Sequence, residues 1–205
     1  MEENIETTKE HIDSAKKCDA DLTAFPELSV TDYPPQDLLL ETDFVKQNKE
    51  LVKDLRILVL NTGKKTEFAL GYCIPYEDMA DGIGALGDVS KLEVYRLAEY
   101  VNKKAGRETI PRSVFSKKPS PELKEAQFDP FDFDIVSPLV DEFVENRRSK
   151  SELIAMGYPE MDVTDVRRRI RTAEYKRWQA APCIKITRKA FGMGWRMPIV
   201  NEYRG

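Results

Sequence analysis

A chain of 205 residues with 33% charged side chains and a formal net charge of −4 can hold one sizeable domain or two small ones, and no apolar run approaches membrane-spanning length. The single histidine, His11, excludes histidine-based triads and metal sites, and three scattered cysteines (Cys18, Cys73, Cys183) argue against disulfides and zinc. The amino terminus, MEENIETTKE, lacks the basic and apolar regions of a secretion signal, so a cytoplasmic setting is expected.

Charge is unevenly distributed. Residues 1–55 carry 14 acidic and 6 basic side chains, whereas residues 56–205 carry 22 acidic and 26 basic, so an anionic ligand is expected for the second segment. Ile5, Thr8, Ile12 and Ala15 recur at helical spacing, predicting an amphipathic helix over 4–18. Asp21 to Phe25 reads as a strand stopped by Pro26, with Glu27 at its carboxyl end. A second helix is expected from about Pro35, its apolar positions including Leu38, Val45, Leu51, Val52 and Leu55.

The stretch Ile57 to Lys91 is the most informative. Ile57-Leu58-Val59-Leu60 predicts a fully buried strand, Asn61 to Lys65 a tight turn, and Thr66-Glu67 a helix start. A buried strand feeding a turn and helix presents backbone N–H groups at a sheet's carboxyl edge, where open α/β sheets bind ligands. Asp88 is the expected N-cap of a further helix beginning near Val89, with Lys91 in its first turn. A cation is disfavoured there by the helix dipole, so an anionic partner would suit it; a solvated lysine beside Asp88 is the alternative. Glu67 on its own reads best as a helix-start carboxylate favoured by the dipole, and Ser120, in KKPSPEL, suits an ordinary surface loop. The basic run from Arg167 to Arg177 raises a nucleic-acid interface, but Val163, Val166, Ile170 and Ala173 form a helical apolar stripe, so several arginines belong to a solvated face.

Two motif sets carry a resemblance. AFPELSVTDYPPQDLLL resembles the FPELxxTGYPPEDLL signature of the glutamine-hydrolysing, nitrilase-like amidase domain of bacterial NAD+ synthetases. That resemblance implies a general-base role for Glu27 in a Glu-Lys-Cys constellation, although no segment here matches the family's lysine or cysteine motifs. From Ile57 to Arg204 the chain is similar to the carboxyl-terminal half of the same family's synthetase domain. The markers are LVLNTGKKTE (family pattern LVLxTGNKSE), GYCIPYEDMADG, DVSKLEVYRLAEYVN, KKPSPEL, AEYKRWQAAP and AFGMGWRMPIVNEY.

The resemblance implies an α/β chain. A small α-β-α piece of a nitrilase-like domain, 1–55, would precede a partial Rossmann-like, adenine nucleotide α hydrolase-like synthetase domain, 56–205. It further implies ATP-dependent amidation of deamido-NAD+ with glutamine or ammonia, assisted by Mg2+, in an enzyme forming homo-oligomers at full length. Thr62, Lys91 and Ser120 would contact ATP, Glu67 would serve Mg2+ and deamido-NAD+, and Tyr175 and Lys176 would contact deamido-NAD+. The family's SGGxDS pyrophosphate loop occurs nowhere in the sequence, which reads as two enzyme segments joined near Leu55 to Ile57. The chain is therefore expected to be inactive alone, with a non-catalytic α/β interaction module derived from that enzyme as the alternative. Neither nucleic acid nor membrane is expected as a partner.

Overall fold

The computed structural model describes residues 2–26, 29–31, 36–55, 59–73, 82–120 and 127–200. The chain divides into two compact units, Met1–Leu58 and Val59–Gly205.

In the first unit, helix α1 spans Glu2–Lys17. Its apolar stripe is real: Ile5 and Thr8 are buried, and the Asn4 amide donates to the Val30 carbonyl at 3.3 Å. The helix stops where Asp19 turns left-handed, at φ 55, a conformation that a short polar side chain tolerates. The strand expected over 21–25 does not form. Residues 21–26 carry no strand pairing and Leu22 is 77% exposed. An extended segment gains ladder hydrogen bonds only against a partner, and no strand lies beside it among the unit's described residues. The second helix is also divided. Gln36–Leu40 forms a 3-10 turn, and α2 begins afresh at Thr42 and runs to Leu55. Thr42 and Asp43 favour a helix's first turn over its interior, which explains the break.

The second unit is α/β. Strand β1 (Leu60–Asn61) pairs in parallel with β2 (Ile83–Gly84), and Gly84 bridges in parallel to Cys183. Ile57 and Leu58 of the expected buried strand lie outside the described residues, and its described part is wetter than its composition suggested. Val59 is 48% and Leu60 40% exposed, and among the described residues β1 pairs only with the two residues of β2. Helices α3 (Lys65–Leu70), α4 (Lys91–Ala105), α5 (Ser113–Ser116), α6 (Phe133–Val144), α7 (Lys150–Ala155), α8 (Glu160–Thr172) and α9 (Glu174–Arg177) follow. Two short strands, β3 (Ala190–Phe191) and β4 (Gly194–Trp195), close the described chain.

The core lies between α3, α6 and α8. Phe68, Leu70, Val136, Leu139, Val140, Phe143, Val163, Val166 and Ile170 meet there, with Leu153 of α7 and Phe191 of β3. The stripe expected from Val163 to Ala173 is buried throughout, as its helical period requires. Among the described residues no helix is long and apolar enough to cross a membrane.

Candidate functional site

Two helix starts converge at the carboxyl end of β1. The Lys65 N–H donates to the Val89 carbonyl at 3.0 Å, and the Lys91 N–H donates to the Thr66 hydroxyl at 3.1 Å. These bonds fix the first turns of α3 and α4 side by side. Thr62 lies exposed in the turn before α3, where the Gly63 N–H closes on the Asn61 side-chain oxygen at 2.6 Å.

The caps differ from expectation in an instructive way. Ser90, not Asp88, caps α4: its hydroxyl accepts from the Glu93 N–H, and the Glu93 carboxylate accepts from the Ser90 N–H at 2.8 Å. Asp88 is fully buried and committed elsewhere. Its carboxylate accepts from the Ile186 N–H at 2.8 Å, the Thr187 N–H at 2.7 Å and the Thr187 hydroxyl at 2.8 Å. A tertiary partner nearly a hundred residues away has claimed the side chain that local sequence offered as a cap.

Four charges gather at the junction. The Lys64 ammonium lies 2.8 Å from one Glu67 carboxylate oxygen, while the Lys64 backbone N–H donates to the other at 3.0 Å. Lys91 packs its ammonium 5.7 Å from the Tyr95 ring centre and 5.6 Å from that of Phe133. Burial pushes the Lys91 pKa down, the like charge of Lys64 adds to this, and Glu67 and Asp129 oppose it. Burial pushes the Asp129 carboxyl up, with Lys91 opposing and Glu67 adding. The Asp129 Oδ1 is buried with no hydrogen-bond partner among the described residues. Because the Asp129 N–H donates to the Pro119 carbonyl at 3.0 Å, the loop bearing Ser120 is tied to this cluster.

Thr62, Glu67 and Lys91 are thus brought to one junction, with the Ser120 loop tied to it through Asp129. Tyr175 and Lys176 are not part of that junction. They sit on α9 at the opposite end of α3, where the Lys176 ammonium donates to the Gly71 carbonyl at 2.7 Å and the Cys73 carbonyl at 2.8 Å. Tyr175 is exposed beside it. Glu27 lies outside the described residues, as does most of the GYCIPYEDMADG motif.

Two buried ionic devices hold α3, one at each end, and both escaped the sequence reading. Lys65 is 0% exposed, with its ammonium 2.6 Å from Glu145, 2.7 Å from Asp141 and 3.9 Å from Asp88. Burial pushes its pKa down, but the Asp141 and Glu145 carboxylates outweigh this and leave it raised. A signal was available: Asp141 and Glu145 stand four residues apart on a helix whose Leu139, Val140, Phe143 and Val144 are apolar, a pattern that calls for a buried cation. Arg177 belongs not to a solvated face but to the interior. Its guanidinium pairs with buried Glu174 at 2.8 Å and donates to the carbonyls of Phe68, at 2.8 Å, and Ile170. It thereby ties the carboxyl-terminal turns of α3 and α8 together.

Glycine at position 87 is imposed by packing. A Cβ there would stand 2.2 Å from the Cys183 sulfur and 2.9 Å from the Phe68 ring, so Cys183 can press against the β2 turn only because position 87 has no side chain. Burial pushes the Cys183 thiol up, with Asp88 adding.

A family model described as NAD synthase matches residues 48–180. The chain belongs to the NAD synthase family. Among curated relatives, the glutamine-dependent NAD(+) synthetase of Synechocystis sp. is 40% identical over 149 residues, covering 71% of this chain and 26% of the relative. The enzyme of the same description from Thermotoga maritima is 39% identical over 150 residues, covering 72% of this chain and 26% of the relative. The chain therefore spans about a quarter of the length of these relatives. In fold it is similar to the crystal structure of a glutamine-dependent NAD(+) synthetase from Cytophaga hutchinsonii, with a TM-score of 0.58 at 17% identity, covering 98% of this chain and 33% of that one.

Within the NAD synthase family, Mg2+ was expected at Glu67. Magnesium takes oxygen ligands in near-octahedral geometry and repels neighbouring cations. Both Glu67 oxygens already accept from Lys64, so a cation placed on either one displaces that ammonium or sits against it. This donor set does not fit a divalent cation.

Proposed function

We propose that this chain carries the nucleotide-handling part of an ATP-dependent NAD+ synthetase: a partial Rossmann-like, adenine nucleotide α hydrolase-like domain over 56–205, preceded by a nitrilase-like amidase segment over 1–55. The observation that carries the reading is the junction of Lys64, Glu67 and Lys91 at the start of α3 and α4, within the stretch matched by the family model. Lys91 and Lys64 supply cationic charge for a nucleotide's phosphates, Thr62 an exposed hydroxyl, and the loop of Ser120 a flank that Asp129 holds in place. Phosphate-site catalysis depends on positioning more than on any single charge, so the residues of a missing SGGxDS cradle are not replaced by two lysines. The chain accordingly binds ATP and deamido-NAD+ but forms no amide and hydrolyses no glutamine on its own.

Isothermal titration tests the binding half: ATP binds the full chain, and Lys91→Ala weakens it about tenfold or more, as loss of a charge-assisted phosphate contact does. A coupled assay for NAD+, supplied with deamido-NAD+, ATP and either ammonia or glutamine, tests the other half. Detectable NAD+ from the chain alone contradicts the proposed incompetence. Failure to bind either nucleotide favours the non-catalytic module.

A further inference from the structure

The ion pair at the start of α3 points to a departure in how phosphates are neutralised. Lys64 and Glu67 are both half-buried, with side chains 19% and 22% exposed, so water screens their attraction only in part. The pair is also geometrically fixed, because one residue supplies both partners to the carboxylate: an ammonium to Oε1 at 2.8 Å and a backbone N–H to Oε2 at 3.0 Å. A divalent cation on either oxygen would have to displace that ammonium or sit against it. The family pattern LVLxTGNKSE has asparagine where this chain has Lys64, a side chain that brings no ammonium to the carboxylate.

We infer that the Lys64 ammonium stands in for a divalent cation at Glu67, so that nucleotide phosphates are neutralised here by Lys64 and Lys91 without a metal on the protein. This rests on the nucleotide-binding reading above and deepens it. The Lys64 ammonium, with three N–H donors, bridges Glu67 and an incoming phosphate as a shared cation, and Lys91 holds the second charge from its seat on Tyr95 and Phe133. Magnesium chelated by ATP reduces the charge that these lysines attract, so the metal weakens binding or leaves it unchanged.

The full chain is titrated with ATP calorimetrically, once in EDTA and once in excess Mg2+, and the titrations are repeated with Lys64→Gln after circular dichroism confirms its fold. The wild-type affinity is expected to be equal within about threefold in the two conditions, or lower with Mg2+. Lys64→Gln is expected to lose about tenfold in EDTA, the worth of one charge-assisted contact, and to regain affinity on adding Mg2+. A direct Mn2+ titration read by electron paramagnetic resonance, without nucleotide, should show a site in Lys64→Gln that wild type lacks and that Lys64→Gln/Glu67→Gln loses. Wild-type binding that improves tenfold or more with Mg2+ overturns the inference while leaving the nucleotide reading intact, and needs no variant. Absence of ATP binding in every condition overturns the nucleotide reading and the inference together.

Discussion

Replacing Lys65 with methionine removes the cation on which three elements converge while preserving most of the side-chain volume. Asp88, on the turn before α4, and Asp141 and Glu145, on α6 and its cap, then face one another without compensation. Breaking a buried ion pair by deleting one partner costs about 3–5 kcal/mol, mostly from the stranded charge. That is a large share of the ~5–15 kcal/mol by which domains are stable, and at ~2–4 °C per kcal/mol for a unit of this size it lowers Tm by roughly 6–20 °C. Urea unfolding followed by far-ultraviolet circular dichroism measures it. The pH dependence supplies a sign check. In wild type, the raised Lys65 pKa contributes stability that is present in full below the ordinary value of 10.5 and is lost only as pH rises through the higher folded value. In the variant, burial and the neighbouring Glu93 and Glu145 charges push Asp141 upward with no cation to oppose them. The folded variant then binds more protons than the unfolded chain, so its deficit is greatest at neutral pH and shrinks as pH falls toward the carboxylate range. Adding Asp141→Asn and Glu145→Gln should recover part of the loss. A Lys65→Met variant within about 1 kcal/mol of wild type at neutral pH, with no pH trend, refutes this account of the network.

Gly87→Ala should destabilise by about 1–3 kcal/mol, because the new methyl meets the Cys183 sulfur and the Phe68 ring together. Pairing it with Cys183→Ala in chemical denaturation should recover part of that loss, and strict additivity of the two changes would contradict the packing argument. Arg177→Met should cost about 3–5 kcal/mol by stranding Glu174 and freeing the Phe68 and Ile170 carbonyls, whereas exposed Arg168→Met should change stability by less than about 1 kcal/mol in the same melts.

How much of this was legible in the sequence depends on how far each determinant reached along the chain. The family and the α/β class were, through motifs of consecutive residues. So were α1, from Ile5 and Thr8, and α8, from Val163 to Ala173, because a helix buries a stripe that its own period announces. Distant partners hid the rest. DVSKLE offers two good caps, and only Ile186 and Thr187 decide that Asp88 turns away and Ser90 does the capping. Lys64 and Lys65 are chemically identical neighbours, yet one lies at the site's surface and the other is buried among carboxylates from α6. Arg177 closed a run of basic residues that looked solvated, and the carbonyls that draw it inward belong to α3 and α8. The strand expected over 21–25 failed for a related reason: pairing is a property of two segments, and composition describes one.

The ties that hold α3, β2 and the turn before α4 span about a hundred residues of chain. Asp88 waits for Thr187, Gly71 for Lys176, Phe68 for Arg177 and Gly84 for Ile184. During synthesis at about 5–20 residues per second, the segment bearing Thr62, Glu67 and Lys91 therefore emerges roughly 5–20 s before the residues that lock it. Closing loops of that size costs chain entropy before any bond repays it. The nascent chain thus presents this segment open first and fastens it only when residues 176–187 have emerged. A chain halted before Lys176 leaves the ribosome without any of the ties from Lys176, Arg177, Ile184 and Thr187.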